Sequence, residues 1–177
     1  MMLHRFVAAF LAVIAPVFAY ADDAAPRNVF YVGAGASHSD RKDENNQVPF
    51  SIGMTHHAPG GGVVYGFDFA GEGVVYDSTY HRNADPRRAM SMNLVVGGNV
   101  VNGTRTKVDA ALLVGIRQAT QDCDRQSYLG HQCYADRSPR VEYKPNAGAL
   151  LTVSYDRAVI GLRATGQSAQ MIGGFRF

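Results

Sequence analysis

Arg105-Thr106-Lys107-Val108-Asp109-Ala110-Ala111-Leu112-Leu113-Val114-Gly115-Ile116-Arg117 sorts its side chains by parity. Val108, Ala110, Leu112, Val114 and Ile116 fall on one parity, and Lys107, Asp109 and Arg117 on the other. Side chains of a strand alternate between the faces of a sheet, so this spacing predicts a strand with one apolar and one charged face. The pattern recurs on either side. In Gly62–Glu72, Val63, Tyr65, Phe67 and Phe69 share a face, and Asp68 and Glu72 take the other. Near the end of the chain Ile160, Leu162, Met171, Phe175 and Phe177 oppose Arg163 and Arg176.

The same reading along the rest of the chain predicts eight strands: Asn28–Ser37, Val48–His57, Gly62–Glu72, Ala89–Asn99, Arg105–Arg117, Glu142–Tyr155, Ala158–Thr165 and Ser168–Phe177. Ala58-Pro59-Gly60-Gly61, Val101-Asn102-Gly103-Thr104 and Asp156-Arg157 carry tight-turn chemistry, the second with an Asn-Gly hairpin signal. Between them lie longer polar stretches, His38–Gln47, Gly73–Arg88 and Gln118–Val141. Alternating short turns and long loops is the asymmetry of outer-membrane barrels, whose long loops face outside. The short connection at Gly166-Gln167 departs from it.

Parity fixes which residues cluster, not which cluster is inside. A soluble barrel turns the apolar face inward; a membrane barrel turns it to lipid and the charges into the lumen. The charged parity is rich in small residues (Gly66, Ala70, Ala111, Gly115, Gly148, Gly161, Gly174), which suits a narrow lumen. Tyr65, Tyr143, Tyr155, Phe175 and Phe177 sit near strand ends, where interfacial aromatics belong. The expectation is therefore an all-β, up-and-down antiparallel eight-stranded transmembrane barrel, with a lipocalin-like soluble barrel as the rival fold.

Residues 1–21 are expected to be a cleaved signal peptide. Arg5 begins it, Phe6 to Phe18 is apolar apart from Pro16, and Ala19-Tyr20-Ala21 ends it as a small-x-small site. Cleavage leaves 177 − 21 = 156 residues, the barrel domain 22–177. No Lys/Arg run marks a nucleic-acid surface, and no later stretch is long and apolar enough for a membrane helix. Cys123 and Cys133, exported to an oxidising compartment, are expected to form a disulfide across one loop, worth roughly 2–3 kcal/mol in the chain-entropy model. His131 is the one further ligand nearby, too few for a metal site.

The stretch Ala25-Pro26-Arg27-Asn28-Val29-Phe30-Tyr31-Val32-Gly33-Ala34 resembles the first strand of OmpA/OmpX-type eight-stranded outer-membrane barrels. Gly173-Gly174-Phe175-Arg176-Phe177 resembles their C-terminal strand, with alternate aromatics and a final Phe. The resemblance implies that the barrel-assembly machinery recognises Phe177, and with it Phe175, before folding. It implies a bacterial outer-membrane location, and no peptidoglycan-binding domain follows in this sequence.

Eight strands enclose a lumen that side chains fill. Arg105, Lys107, Asp68, Glu72, Asp109, Arg117, Arg163 and Arg176 are expected there as a paired plug fixing the register; the competing reading is a narrow pore. The loops are the other candidate. Tyr76, Tyr80, His81, Arg82 and Arg87-Arg88 in one, and Tyr128, Tyr134 and Arg137 in another, suit contacts with an extracellular protein, outer-membrane lipid or lipopolysaccharide phosphates. A lipid A-modifying enzyme needs a Ser, a His and an acid; Asp77-Ser78 with His81, or His38-Ser39-Asp40, supply those types without regular structure to place them. Adjacent His56-His57 point to opposite faces and cannot share a metal. The sequence reads as a monomeric, non-enzymatic barrel with no cofactor and a structural or surface-interaction role.

Overall fold

A computed structural model of the chain describes residues 27–38, 48–59, 62–76, 86–120 and 141–177. The strands are β1 (Asn28–Ser37), β2 (Phe50–His57), β3 (Val63–Tyr76), β4 (Pro86–Asn102), β5 (Thr106–Thr120), β6 (Val141–Tyr155), β7 (Ala158–Thr165) and β8 (Ser168–Arg176). Each pairs antiparallel with its neighbours in sequence, and β8 pairs with β1 to close the barrel. Asn28 and Phe177 complete that seam with reciprocal backbone bonds of 2.9 Å. Closure removes every sheet edge where strands pair, as lipid requires.

The register sets the shape. The row of paired residues Ala169, Ala164, Ala149, Leu112, Val96, Tyr65, His56, Asn28 circles the barrel. It returns to the last strand at Phe177, from 169 to 177, eight residues below its start. An offset of one residue per strand corresponds to a tilt of about 36°. Allowing for it, the outer ends of β1, β2, β7 and β8 lie level. Strands β3 to β6, 14, 17, 15 and 15 residues long, run past that rim, whereas β1, β2, β7 and β8 have 10, 8, 8 and 9. The excess is about five residues, a four-stranded wall rising roughly 13 Å above the rim.

Polarity is inverted relative to a soluble barrel. Phe67, Ile160, Leu162 and Met171 are exposed on the outside, at 65%, 67%, 57% and 74%. Asp68, Glu72, Asp109, Arg163 and Arg176 are buried inside. The rival lipocalin-like fold, which needs an apolar interior and a polar exterior, is thereby excluded. Aromatic rings gather at the rim that carries the short turns, the periplasmic rim. Phe175 lies 5.6 Å from Phe30 and 5.5 Å from Phe177, and Tyr65 lies 5.3 Å from His56.

Several boundaries differ from those read in the sequence. Val101 and Asn102, expected in a turn, belong to β4, because a bulge between Asn99 and Val101 lets the ladder continue. The turn then closes with Gly103 N–H donating to the Thr106 carbonyl over 2.8 Å. Residues 73–76 and 86–88, expected in a loop, are also strand. There the ladder passes a bulge between Gly71 and Val74, where Gly73 adopts φ 76, a left-handed conformation that glycine tolerates. The bulge carries Glu72 inward and then Val75 inward too, a parity change that alternation alone does not reveal.

A Cβ at Gly53 would fall within the Tyr31 ring. Gly53→Leu is expected to expel that ring and lower stability by roughly 1–3 kcal/mol. Urea titration followed by heat-dependent gel mobility measures it.

Candidate functional site

The lumen holds two polar clusters with apolar side chains packed among them. The outer one centres on Arg163 of β7, fully buried, which reaches the opposite strand, β3, four places away around the barrel. Its Nε donates to Asp68 Oδ2 at 3.0 Å and its Nη2 to Asp68 Oδ1 at 2.7 Å. Its Nη1 donates to Glu72 Oε2 at 2.8 Å. One guanidinium thus serves two carboxylates, and neutral donors stabilise the excess negative charge. Tyr31 and Asn93 donate to Asp68 at 3.0 and 2.9 Å. Ser91, Thr165 and Ser168 donate to Glu72 at 2.7, 2.7 and 2.6 Å. Asn146 bridges Asn93 Oδ1, at 3.0 Å, and Glu72. Strands β1, β3, β4, β6, β7 and β8 all contribute.

Val29, Tyr31, Val95, Ala111, Leu113, Leu150, Val159 and Ile172 form a buried cluster interleaved with the polar ones: Leu150 pairs with Arg163, and Val29 with Arg176. A second polar cluster lies towards the periplasmic rim around Asp109. Asn99 Nδ2 donates to Asp109 Oδ1 at 2.7 Å, and His57 Nε2 stands 3.0 Å from the same oxygen. Thr152 donates to Oδ2 at 3.4 Å. Arg176 Nη2 lies 3.3 Å from His57 Nδ1, which is also 3.2 Å from the Arg27 carbonyl.

Of the lumenal residues read from the sequence, the structure brings Asp68, Glu72 and Arg163 together, and separately Asp109 and Arg176. Arg117 also points inward, opposite Ser91 and Lys144, but half-buried and above the first cluster. Lys107 faces inward beside Ser154 at the other end. Arg105 is not lumenal: it lies exposed just before β5, where its carbonyl accepts from Asp156 N–H. His56 and His57 do point to opposite faces, His56 against Tyr65 outside and His57 into the lumen. Phe175 and Phe177 are both exposed on the outside.

The neutral partners Tyr31, Ser91, Asn93, Asn146, Thr165 and Ser168 were not singled out as site residues. They carry no charge to draw attention, yet they occupy the inward parity of their strands, and that was the available signal. The candidate disulfide, Cys123–Cys133, lies outside the described residues, as do Ser39, Asp40, Asp77, Ser78, Tyr80, His81, Arg82, Tyr128, His131, Tyr134 and Arg137. His57 Nδ1 is held by the Arg27 carbonyl and Arg176, while Nε2 stands 3.0 Å from Asp109 Oδ1 without a directed hydrogen bond. No group of three or more potential metal ligands occurs among the described residues.

Arg163→Met leaves two buried carboxylates without their counter-ion and is expected to cost about 3–5 kcal/mol. Adding Asp68→Asn and Glu72→Gln should recover much of that loss in urea titrations. With buried side chains filling the lumen, the purified protein is expected to show little or no steady conductance in planar bilayers. Reproducible large channels would overturn the filled lumen.

No protein-family model matches the chain, and no curated protein matches it in sequence. Among solved structures it is similar to the outer membrane protein Ail of Yersinia pestis in a phospholipid bilayer nanodisc. The two share 12% identity over 86% of this chain and 99% of that one, with a TM-score of 0.48. It is also similar to the outer membrane protein H (OprH) of P. aeruginosa in DHPC micelles, at 11% identity over 86% of this chain and 100% of that one, TM-score 0.48. Closure, strand order and polarity are this chain's own, and they carry the assignment. The chain has the architecture of an outer-membrane barrel, eight antiparallel strands closed on themselves with an apolar exterior and a charged interior.

Proposed function

We propose that the protein is a non-enzymatic, monomeric outer-membrane barrel that acts by contact on the outside of the cell, with the β3–β6 wall as its contact surface. The wall itself is the observation that carries this reading. Its strands continue about five residues beyond the level at which the other four stop, further than crossing the membrane requires. The apolar belt also ends near that level. On β5, outward-facing Ile116 is followed at the next outward positions by Gln118 and Thr120. On β4, Met90 is followed by Arg88, whose guanidinium lies 5.0 Å from the Phe50 ring centroid.

What the wall offers suits a protein partner. Tyr143 and Val141 are exposed at 63% and 49%, next to exposed Glu142. An exposed tyrosine brings a large contact area at low entropic cost. Among the described residues, 141–147 of β6 have no strand partner on the side away from β5, and Pro145 lies within that free edge. Proline removes a donor there and so blunts indiscriminate pairing. Arg88 at the outer boundary suits a lipopolysaccharide phosphate, which would anchor the wall's base in the outer leaflet.

Replacing residues 74–88 and 118–143 with short turns tests the proposal. The shortened protein should reach the outer membrane with its heat-dependent gel shift intact. Cells carrying it should lose the attachment to protein-coated surfaces that the full-length barrel confers. Attachment retained after shortening, or no attachment conferred by the full-length barrel, defeats the contact role. Acyl transfer from or release of labelled lipid A by the purified protein defeats the non-enzymatic one.

A further inference from the structure

Charge is uneven along the periplasmic rim. The turns at residues 103–105 and 156–157 stand side by side there, because Asp156 N–H donates to the Arg105 carbonyl over 2.8 Å. Each brings one arginine, and Arg105 and Arg157 are both exposed. Neither guanidinium has a hydrogen-bond or ion-pair partner among the described residues. Asp156 is the one acid of the two turns, and the remaining tight turn, Ala58-Pro59-Gly60-Gly61, carries no charge.

Beside this corner the register leaves a notch in the lipid-facing surface. Tyr155 pairs with Ala158, and Ala158 with Phe175. Both rings are more than half exposed, at 57% and 52%, and only a methyl group stands between them. Their backbones are two strand spacings apart, about 10 Å, which leaves room for one acyl chain on the Ala158 methyl. On its far side Phe175 packs against Phe30 and Phe177, at 5.6 and 5.5 Å. Gly173 extends the notch towards the midplane: it lies next to Ile160, and a Cβ there would meet nothing within 4 Å.

We infer that this corner of the barrel binds one anionic phospholipid of the inner leaflet, its phosphate held by Arg105 and Arg157 and one acyl chain lying in the notch over Ala158 and Gly173. A guanidinium fork matches two phosphate oxygens, and an unpaired cation at a membrane surface favours an anionic headgroup. The occupant is a glycerophospholipid rather than lipopolysaccharide, because the corner lies on the rim of short turns, in the leaflet that faces the periplasm. It is at the opposite end of the barrel from the wall and independent of the contact role.

Native mass spectrometry of the protein released from vesicles of equal parts phosphatidylglycerol and phosphatidylethanolamine tests this. The unaltered protein should retain one phosphatidylglycerol in preference to phosphatidylethanolamine. Arg105→Gln and Arg157→Gln should lower that preference by about fivefold for each guanidinium removed. Ala158→Phe, which fills the notch and leaves both arginines in place, should lower retention of either lipid. The heat-dependent gel shift confirms that each variant is folded. Equal retention of the two lipids by the unaltered protein, or a preference that survives loss of both arginines, overturns the headgroup site. Retention unaffected by Ala158→Phe overturns the notch. Displacement of the bound lipid by millimolar glycerol phosphate assigns the site to a free phosphate and overturns the lipid reading.

Discussion

Arg163 crosses the lumen from β7 to β3, and most of the barrel's interior is arranged around that crossing. A guanidinium buried in a narrow lumen persists only when its donors are matched by acceptors of fixed position. Asp68 and Glu72 lie four positions apart on one strand, so both face inward and meet the planar fork from below and above. The interaction also locks register. A slip of one residue in β7 would send Arg163 to the lipid, where a charge near the midplane costs about 2–4 kcal/mol, and would strand both carboxylates.

Room for this network comes from the small residues beside it. Gly53 makes way for the Tyr31 ring, whose hydroxyl ends on Asp68. Gly66, Gly115, Gly148 and Gly161 face inward where a side chain would meet a neighbouring strand. Charge is distributed unevenly along the axis. The outer cluster has two carboxylates against one guanidinium, and in the inner one Asp109 stands with His57 and Arg176. Neutral hydrogen-bonding groups complete both clusters.

Much of the barrel was legible because alternation is a strict rule in lipid. Each face of a strand meets a solvent of opposite character, and β5, β7 and β8 show it without exception among their charged residues. What alternation cannot carry is a break in its own period. The bulges at Gly71/Val74 and Asn99/Val101 restart the pattern, so β3 and β4 were read too short. The network was half legible for a related reason. Charged members stand out in a string, whereas Ser91, Asn93, Asn146 and Ser168 are ordinary loop-forming residues until pairing puts them beside a carboxylate. Arg105 erred the other way: its parity was right, but the strand begins one residue later, and parity has no meaning in a turn.

The wall and the lumenal network meet at one place, and that joins architecture to function. Glu72 sits beside the β3 bulge, where the strand leaves the closed barrel and enters the wall. Ser91 of β4 and Asn146 of β6 bond to it at the same level, as do Thr165 and Ser168 from the short hairpin opposite. Among the described residues the four-stranded wall pairs with no strand on its flanks, and it would pivot about its base if only backbone bonds held it there. Here three of its four strands are tied to one buried carboxylate, which is tied in turn to the far side of the barrel through Arg163. The charge cluster that fills the lumen thereby also stiffens the base of the contact surface. A surface held rigid before binding loses less entropy when it binds, so the sealed interior serves the exterior.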